Sequence, residues 1–281
     1  MSISLTLPIP ALRIAQYLEI LKDSNISTVN DALTSIKWLH YFIPGINAIN
    51  NPLNDDFLAR IVDSSKRSNN KQKNRKKPLT LDVIEKILGN LPPNPTLEDL
   101  RNTLIPVLAF ALLLRHDELS HLNCIHFTVM SEGLKVHIPS SKTDTYRDGK
   151  YVFLSKKNSS VYNLIFRYMS KANLDFSCNH FFFCPIIHNR TDLSCSICNQ
   201  KLPYDIYNSI VKEAVAKIGL NPSEYGTHSA RSGGATSLYP YVSQFEMMLS
   251  GRWADPRSLG SYVEISTDTQ FDINSRLNIS L

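Results

Sequence analysis

Between Lys66 and Lys77 the chain carries seven basic residues, Lys66, Arg67, Lys71, Lys73, Arg75, Lys76 and Lys77, spaced by serine, asparagine and glutamine. The run contains no apolar side chain, so it has nothing to bury and reads as a linker or arm, here 65–78. It divides the chain into a short part, 1–64, and a long part, 79–281. Charge follows the same division. Residues 1–78 hold 11 Lys and Arg against 6 Asp and Glu, whereas 79–281 hold 19 of each. A run of this kind is either a solvated tether or a strap that tracks phosphates, or it serves nuclear import in a eukaryotic host. Charge alone does not decide between them.

Apolar periodicity sets the fold class on both sides of the run. Leu12, Ala15, Leu18 and Leu21, then Val29, Ala32, Leu33, Ile36 and Leu39, recur at three to four residues until Pro44-Gly45 ends the pattern. A third helix around Phe57, Leu58, Ile61 and Val62 completes a small helical domain. Beyond the run, Thr80 opens a short helix ending near Gly89, and Thr96 with Asp99 forms a capping box before Leu104, Leu108 and Leu112. Pro106 should kink that helix or mark its first turn. The period then shortens to two. Leu134, Val136 and Ile138 alternate, Asp148-Gly149 signals a turn, and Tyr151 to Leu154 returns as the second arm of a hairpin with a long tip. Helical patterns resume at Val161–Met169, at Ile206–Ile218 before Gly219, and at Phe245–Leu249. The expected fold is mainly α with a small antiparallel β-sheet.

Several classes of protein are excluded. The longest uncharged apolar stretch, Leu104 to Leu114, stops after 11 residues at Arg115, well short of the roughly 18 that a membrane span needs. The start lacks a basic region followed by an apolar run, and five cysteines make an odd number for a disulfide scaffold. The expectation is an intracellular chain with no membrane partner. No G-x-S-x-G elbow, P-loop, H-E-x-x-H or post-strand G-x-G-x-x-G occurs, nor an acidic cluster suited to two metals.

What remains is cationic. Gly226-Thr227-His228-Ser229-Ala230-Arg231-Ser232-Gly233-Gly234 places His228 and Arg231 on one face of a helix start, with Thr227 as the expected cap. An imidazole, a guanidinium and free main-chain N–H groups there suit an anion. Gly233 and Gly234 are poor mid-helix residues, so something approaches that backbone closely. Alone, H-x-x-R is a common surface turn. Upstream, however, lies Arg115-His116-Asp117-Glu118-Leu119, at the end of an apolar helix, and then Ser141-Lys142-Thr143-Asp144 in the hairpin tip. Downstream come Gly251-Arg252-Trp253 and Tyr262.

In this order the motifs resemble the tyrosine recombinase (phage-integrase-type) family over about 150 residues. The motif wording is similar to recombinases of eukaryotic mobile elements of the DIRS or crypton kind. The resemblance implies that 1–64 is a helical core-binding domain and that 79–281 is a catalytic domain with a C-terminal tail. It implies a site-specific recombinase acting on double-stranded DNA as a tetramer on two sites, without metal, ATP or other cofactor. By the same resemblance Arg115 and Arg231 hold the phosphate, Lys142 protonates the leaving group, His228 and Trp253 assist, and Tyr262 is the nucleophile. Trp253 stands where histidine is commoner, and its indole N–H donates but cannot shuttle protons. Glu118 is expected to support Arg115, and Lys66 to Lys77 to meet the DNA backbone.

Rivals exist for two of these roles. Lys135 and Lys150 share the hairpin with Lys142, and Tyr239 and Tyr241 lie nearer His228 in sequence than Tyr262 does. Cys184, His188, Cys195 and Cys198 include one C-x-x-C, read as free thiols with a structural zinc as the alternative. A catalytically silent DNA-binding protein and a type IB topoisomerase are the alternative functions. Residence is nuclear in a eukaryotic host and otherwise in the cytoplasm or nucleoid.

Overall fold

The computed structural model describes residues 7–21, 26–46, 51–68, 75–139, 149–188 and 195–264. The chain forms two compact units, 1–74 and 75–281. The first is a three-helix cluster: α1 (Ala11–Leu21), α2 (Ile26–Tyr41) and α3 (Asp56–Ser68). Ile14, Ala15 and Leu18 of α1 pack with Val29 of α2 and with Leu53, Leu58 and Val62. Buried His40 ties α2 to the chain start, since its Nδ1 meets Ile36 O at 2.8 Å while Nε2 accepts from Ile9 N at 3.1 Å. Helix α3 runs further than the sequence suggested. Lys66 and Arg67, read as linker, lie in its last turn, because Leu58, Val62 and Ser65 give it a buried face while Arg67 stays on the exposed one.

At the other end of the basic run, Arg75, Lys76 and Lys77 belong to the second unit. Lys77 N donates to Glu224 O at 2.8 Å, its Nζ meets Glu224 Oε2 at 2.8 Å, and Lys76 Nζ reaches Ser223 O at 2.5 Å. Arg75 is exposed. Lys71 and Lys73 fall outside the described residues.

The second unit starts with α4 (Leu81–Gly89) and α5 (Leu97–Ala111). Helix α5 opens on the expected capping box, with Thr96 Oγ1 accepting from Asp99 N and Asp99 Oδ2 from Thr96 N, and it continues through Pro106. It does not continue to Arg115. Leu113 takes a left-handed conformation, φ 50°, and a separate short helix α6 (His116–Ser120) follows. A three-stranded antiparallel sheet comes next: β1 (Phe127–Met130), β2 (Gly133–Ile138) and β3 (Lys150–Ser155), in that order. Register pairs Leu134 with Leu154 and Val136 with Val152, so both arms of the expected hairpin turn the same apolar face into the core. Strand β1 is an addition, paired with β2 through Phe127 opposite Val136.

Helix α7 (Ser159–Ala172) packs on α5, followed by a small pair, β4 (Ile186–His188) and β5 (Cys195–Ile197), and by α8 (Tyr204–Lys217). The chain then builds α9 (Ser229–Leu238), α10 (Gln244–Gly251) and α11 (Pro256–Gly260). A large core between α4, α5, α7, α8 and the sheet holds this unit together. A smaller cluster of Leu113, Ala235, Met247, Trp253 and Leu259 joins the last three helices to the turn after α5.

Gly233 and Gly234 explain how α9 fits. A Cβ at Gly233 would collide with the Leu79 main chain, and one at Gly234 with Phe110 O at the end of α5. The close approach inferred from these glycines is therefore made by the protein's own backbone.

Candidate active site

The site is assembled from chain breaks, each of which aims a main-chain or side-chain group at the same volume. Arg115 is the N-cap of α6, and Glu118 sits one turn in. Glu118 Oε2 accepts from Arg115 N and Oε1 from Arg115 Nη1, both at 2.8 Å. His228 is the N-cap of α9, one position later than expected, and the Thr227 hydroxyl is engaged by neighbouring side chains rather than by the N–H groups of the helix. The Thr227 hydroxyl lies 3.2 Å from His228 Nδ1 and 3.4 Å from the Tyr204 hydroxyl. Arg231, three residues into α9, is fully buried. Its Nη1 donates to Leu113 O and its Nη2 to Gly251 O, which ties α9 to the turn after α5 and to the end of α10.

Aromatic rings cover the Arg231 guanidinium. Its carbon lies 4.4 Å from the centre of the Trp253 ring and 5.1 Å from that of Tyr262. Trp253 and Tyr262 are 5.4 Å apart, and the His228 ring stacks toward Tyr262 at 6.3 Å. Tyr262 is half-buried, and its carbonyl accepts from Ser232 Oγ at 2.6 Å, which fixes its main chain to α9. Tyr239 and Tyr241 lie beyond the far end of α9, about 15 Å of helix from His228. Lys135 caps the Tyr151 ring at 3.9 Å. Lys142 lies outside the described residues.

Arg252 completes the cluster and was not among the residues that the sequence singled out. It sits in left-handed conformation, φ 57°, directly after α10, and is buried. Its Nη2 meets Glu118 Oε2 at 2.8 Å and Leu113 O at 2.7 Å. Three guanidinium groups thus converge on one carboxylate, with Arg231 Nη1 at 3.7 Å from Glu118 Oε2. The one visible signal was Arg252 standing between Gly251 and Trp253, which by itself reads as a surface turn.

Electrostatics follow from this count. Burial works to raise the Glu118 pKa, but Arg252, the Arg115 N–H and Arg231 outweigh it, and the carboxyl is held below its ordinary value. Burial, and next the Arg115 guanidinium, pull the Arg231 pKa down, with Glu118 opposing. A guanidinium nevertheless remains charged at neutral pH. The site therefore carries more positive than negative charge, and Arg231 Nε and Trp253 Nε1 are buried donors without a partner among the described residues. Unsatisfied N–H groups in a cationic setting suit an oxyanion.

The cysteines do not assemble into a metal site among the described residues. Cys184 is buried, with its Sγ on Phe181 O at 2.9 Å and beside His180, and burial pushes its thiol up to about 12. Backbone pairing sets His188 opposite Cys195 across β4 and β5, with Cys198 just beyond.

No protein-family model matches the chain. The chain is 22% identical over 263 residues to an integrase/recombinase xerD homolog of Selenomonas ruminantium, covering 92% of this chain and 74% of that protein. Among solved structures it is similar to the XerH site-specific recombinase bound to palindromic difH substrate, with a TM-score of 0.64, 16% identity, and 97% and 73% of the two chains covered. The Tn1549 transposon integrase in complex with transposon right-end DNA gives 0.62, 14%, 98% and 88%. A lambda integrase dimer bound to a COC′ core site gives 0.58, 14%, 94% and 83%. These names bear on the family and leave the DIRS- or crypton-like subgroup untouched. The chain thus shares the fold of these solved integrases and recombinases over nearly its whole length and resembles the xerD homolog in sequence.

Proposed function

We propose that the chain is a site-specific DNA recombinase that cleaves and rejoins duplex DNA through a 3′-phosphotyrosine intermediate on Tyr262. The observation that carries this reading is the packing of the Arg231 guanidinium against Trp253 and Tyr262, with Arg115 sharing its carboxylate. In the step proposed, the Tyr262 oxygen attacks phosphorus and the bond from phosphorus to the 5′-oxygen breaks. The departing 5′-oxygen takes a proton from Lys142, and the tyrosine proton passes toward His228. Charge gathering on the nonbridging oxygens meets the spare donors of Arg115 and Arg231. The phosphotyrosine bond retains the energy needed for rejoining, so ATP has no role, and the attack requires no metal-bound water.

Two sites exchange strands only if protomers pair, and the proposal extends to a tetramer on two duplexes. An open groove of about 770 Å³ on the second unit is lined by apolar side chains that include Leu81, Phe110, Phe153, Leu238 and Leu249. Phe271, Ile273, Leu277, Ile279 and Leu281 of the tail lie outside the described residues, and the proposal assigns that segment the pairing of neighbouring protomers. Deleting 270–281 should leave DNA binding by single protomers intact and abolish the tetramer on DNA. A tetramer that persists removes the tail from this role.

Covalent trapping tests the reaction itself. Nicked suicide duplexes of pooled random sequence are incubated with the protein in EDTA, and adducts stable to SDS are compared for wild type and Tyr262→Phe. The expected result is an adduct that survives EDTA and vanishes in the variant, with the trapped DNA revealing the site. Tight, salt-sensitive binding without an adduct would instead mark a catalytically silent DNA-binding protein.

A further inference from the structure

We propose that Arg252 is a positioning residue for strand cleavage, holding Glu118 and the Leu113 carbonyl so that Arg115 and Arg231 keep their free donors for the phosphate. The inference rests on the recombinase reading above and adds a third arginine to it. Donor by donor, the Arg252 guanidinium is fully used. Nε reaches Glu118 Oε1 at 3.4 Å and Nη2 reaches Glu118 Oε2 at 2.8 Å, a side-on fork on the carboxylate. Nη1 donates to Ser250 O at 3.0 Å and Leu112 O at 3.4 Å, and Nη2 also to Leu113 O at 2.7 Å. All five N–H groups are thereby occupied, so Arg252 has none left for a ligand. Arg115, in contrast, places only Nη1 on Glu118, and Arg231 leaves Nε without a partner among the described residues.

Two of the four groups that accept from Arg252, Glu118 and Leu113 O, also locate the other arginines. Glu118 holds Arg115, and Leu113 O holds Arg231 Nη1. By taking the fork position on Glu118, Arg252 leaves that carboxylate a single hydrogen bond to the Arg115 guanidinium and none to that of Arg231, which lies 3.7 Å away. Its left-handed backbone makes a clean test possible, because glycine adopts φ 57° without strain and Arg252→Gly removes the side chain while favouring the native turn.

Cleavage rates of bound complexes are measured on the site recovered from the random pool. We expect Arg252→Gly to fold, to bind the duplex within about threefold of wild type and to cleave about a hundredfold more slowly. Arg252→Lys, which retains charge but not the fork, should recover only part of the rate. Adding Glu118→Gln to Arg252→Gly should cost less than about threefold more, since the two act as one unit. A duplex with a neutral methylphosphonate at the scissile position should narrow the gap between Arg252→Gly and wild type, which a merely structural defect would leave unchanged. Arg252→Gly or Arg252→Lys cleaving at the wild-type rate, multiplied single-variant losses, or an equal gap on both linkages would overturn the proposal while the recombinase reading stands. A wild-type protein that forms no adduct would remove both.

Discussion

Glu118 is 1% exposed and still ionised, because Arg252, Arg115 and Arg231 surround it. Its carboxyl titrates below the ordinary value near 4.5, whereas in the unfolded chain it returns to that value. Between the two, the unfolded chain binds the proton and the native one does not, so stability rises with pH across that window. The contribution is complete above about 4.5 and is lost as pH falls through the lower native value. Glu118→Gln should destabilise the protein by about 3 kcal/mol at pH 7, since three arginines lose their shared counter-charge. It should also flatten the acid limb of the stability curve. Urea midpoints at pH 7, 5, 4 and 3 measure this, and parallel acid limbs for the two proteins would reject the assignment. Arg115, Glu118, His228, Arg231, Trp253 and Tyr262 could be named from motif order, and the structure gathers them. Arg252 could not, because an arginine after a glycine reads as solvated until tertiary packing buries it.

Helix α9 carries two of the gathered residues, and its glycines set how close it lies to α5. The Cβ of Gly234→Ala would meet Phe110 O and the Leu113 side chain, neither free to retreat without moving the turn that receives Arg231 and Arg252. We expect Gly234→Ala to destabilise by about 1–3 kcal/mol, the usual cost of overpacking, and to weaken cleavage beyond its effect on folding. Chemical denaturation beside the trapping assay separates the two, and unchanged stability would show that α9 has room to shift. Much at this scale was legible beforehand. Apolar periods placed the helices, Thr96 and Asp99 capped α5 as expected, Gly219 closes α8 at φ 81°, and alternation gave β2 and β3. Strands β1, β4 and β5 were missed because three or four residues are too few to establish a period of two. The break between α5 and α6 was missed for another reason. Nothing in a leucine announces a left-handed conformation, and Leu113 adopts one where two arginines bind its carbonyl. Such strain costs about 1–2 kcal/mol and is held by the surrounding hydrogen bonds.

At the scale of the molecule, the open matter is whether the cations from Lys66 to Lys77 touch DNA or merely keep a tether in water. Their surroundings already separate them into groups. Lys76 and Lys77 are bound to Ser223 O and Glu224, so their charges help fasten the start of the second unit. Arg67 stands on the exposed face of α3, and Arg75 is exposed. Counterion release makes the two possibilities measurable, because each phosphate neutralised adds about 0.9 to the slope of log affinity against log salt. A strap predicts that Lys71, Lys73 and Arg75 changed together to Gln lower that slope by about 2–3, with affinity at low salt falling on every duplex alike. Lys76→Gln with Lys77→Gln should change the slope by less than about 1, because those ammonium groups already have protein acceptors. Affinities on the trapped site and on a scrambled duplex between 50 and 200 mM salt decide the matter, that being roughly the range over which phosphate contacts dominate. The strap is the outcome we expect on the proposed recombinase reading, because such a protein has to hold the backbone of a duplex. An unchanged slope in the triple variant would reduce the run to a solvated connection and leave DNA recognition to the two folded units.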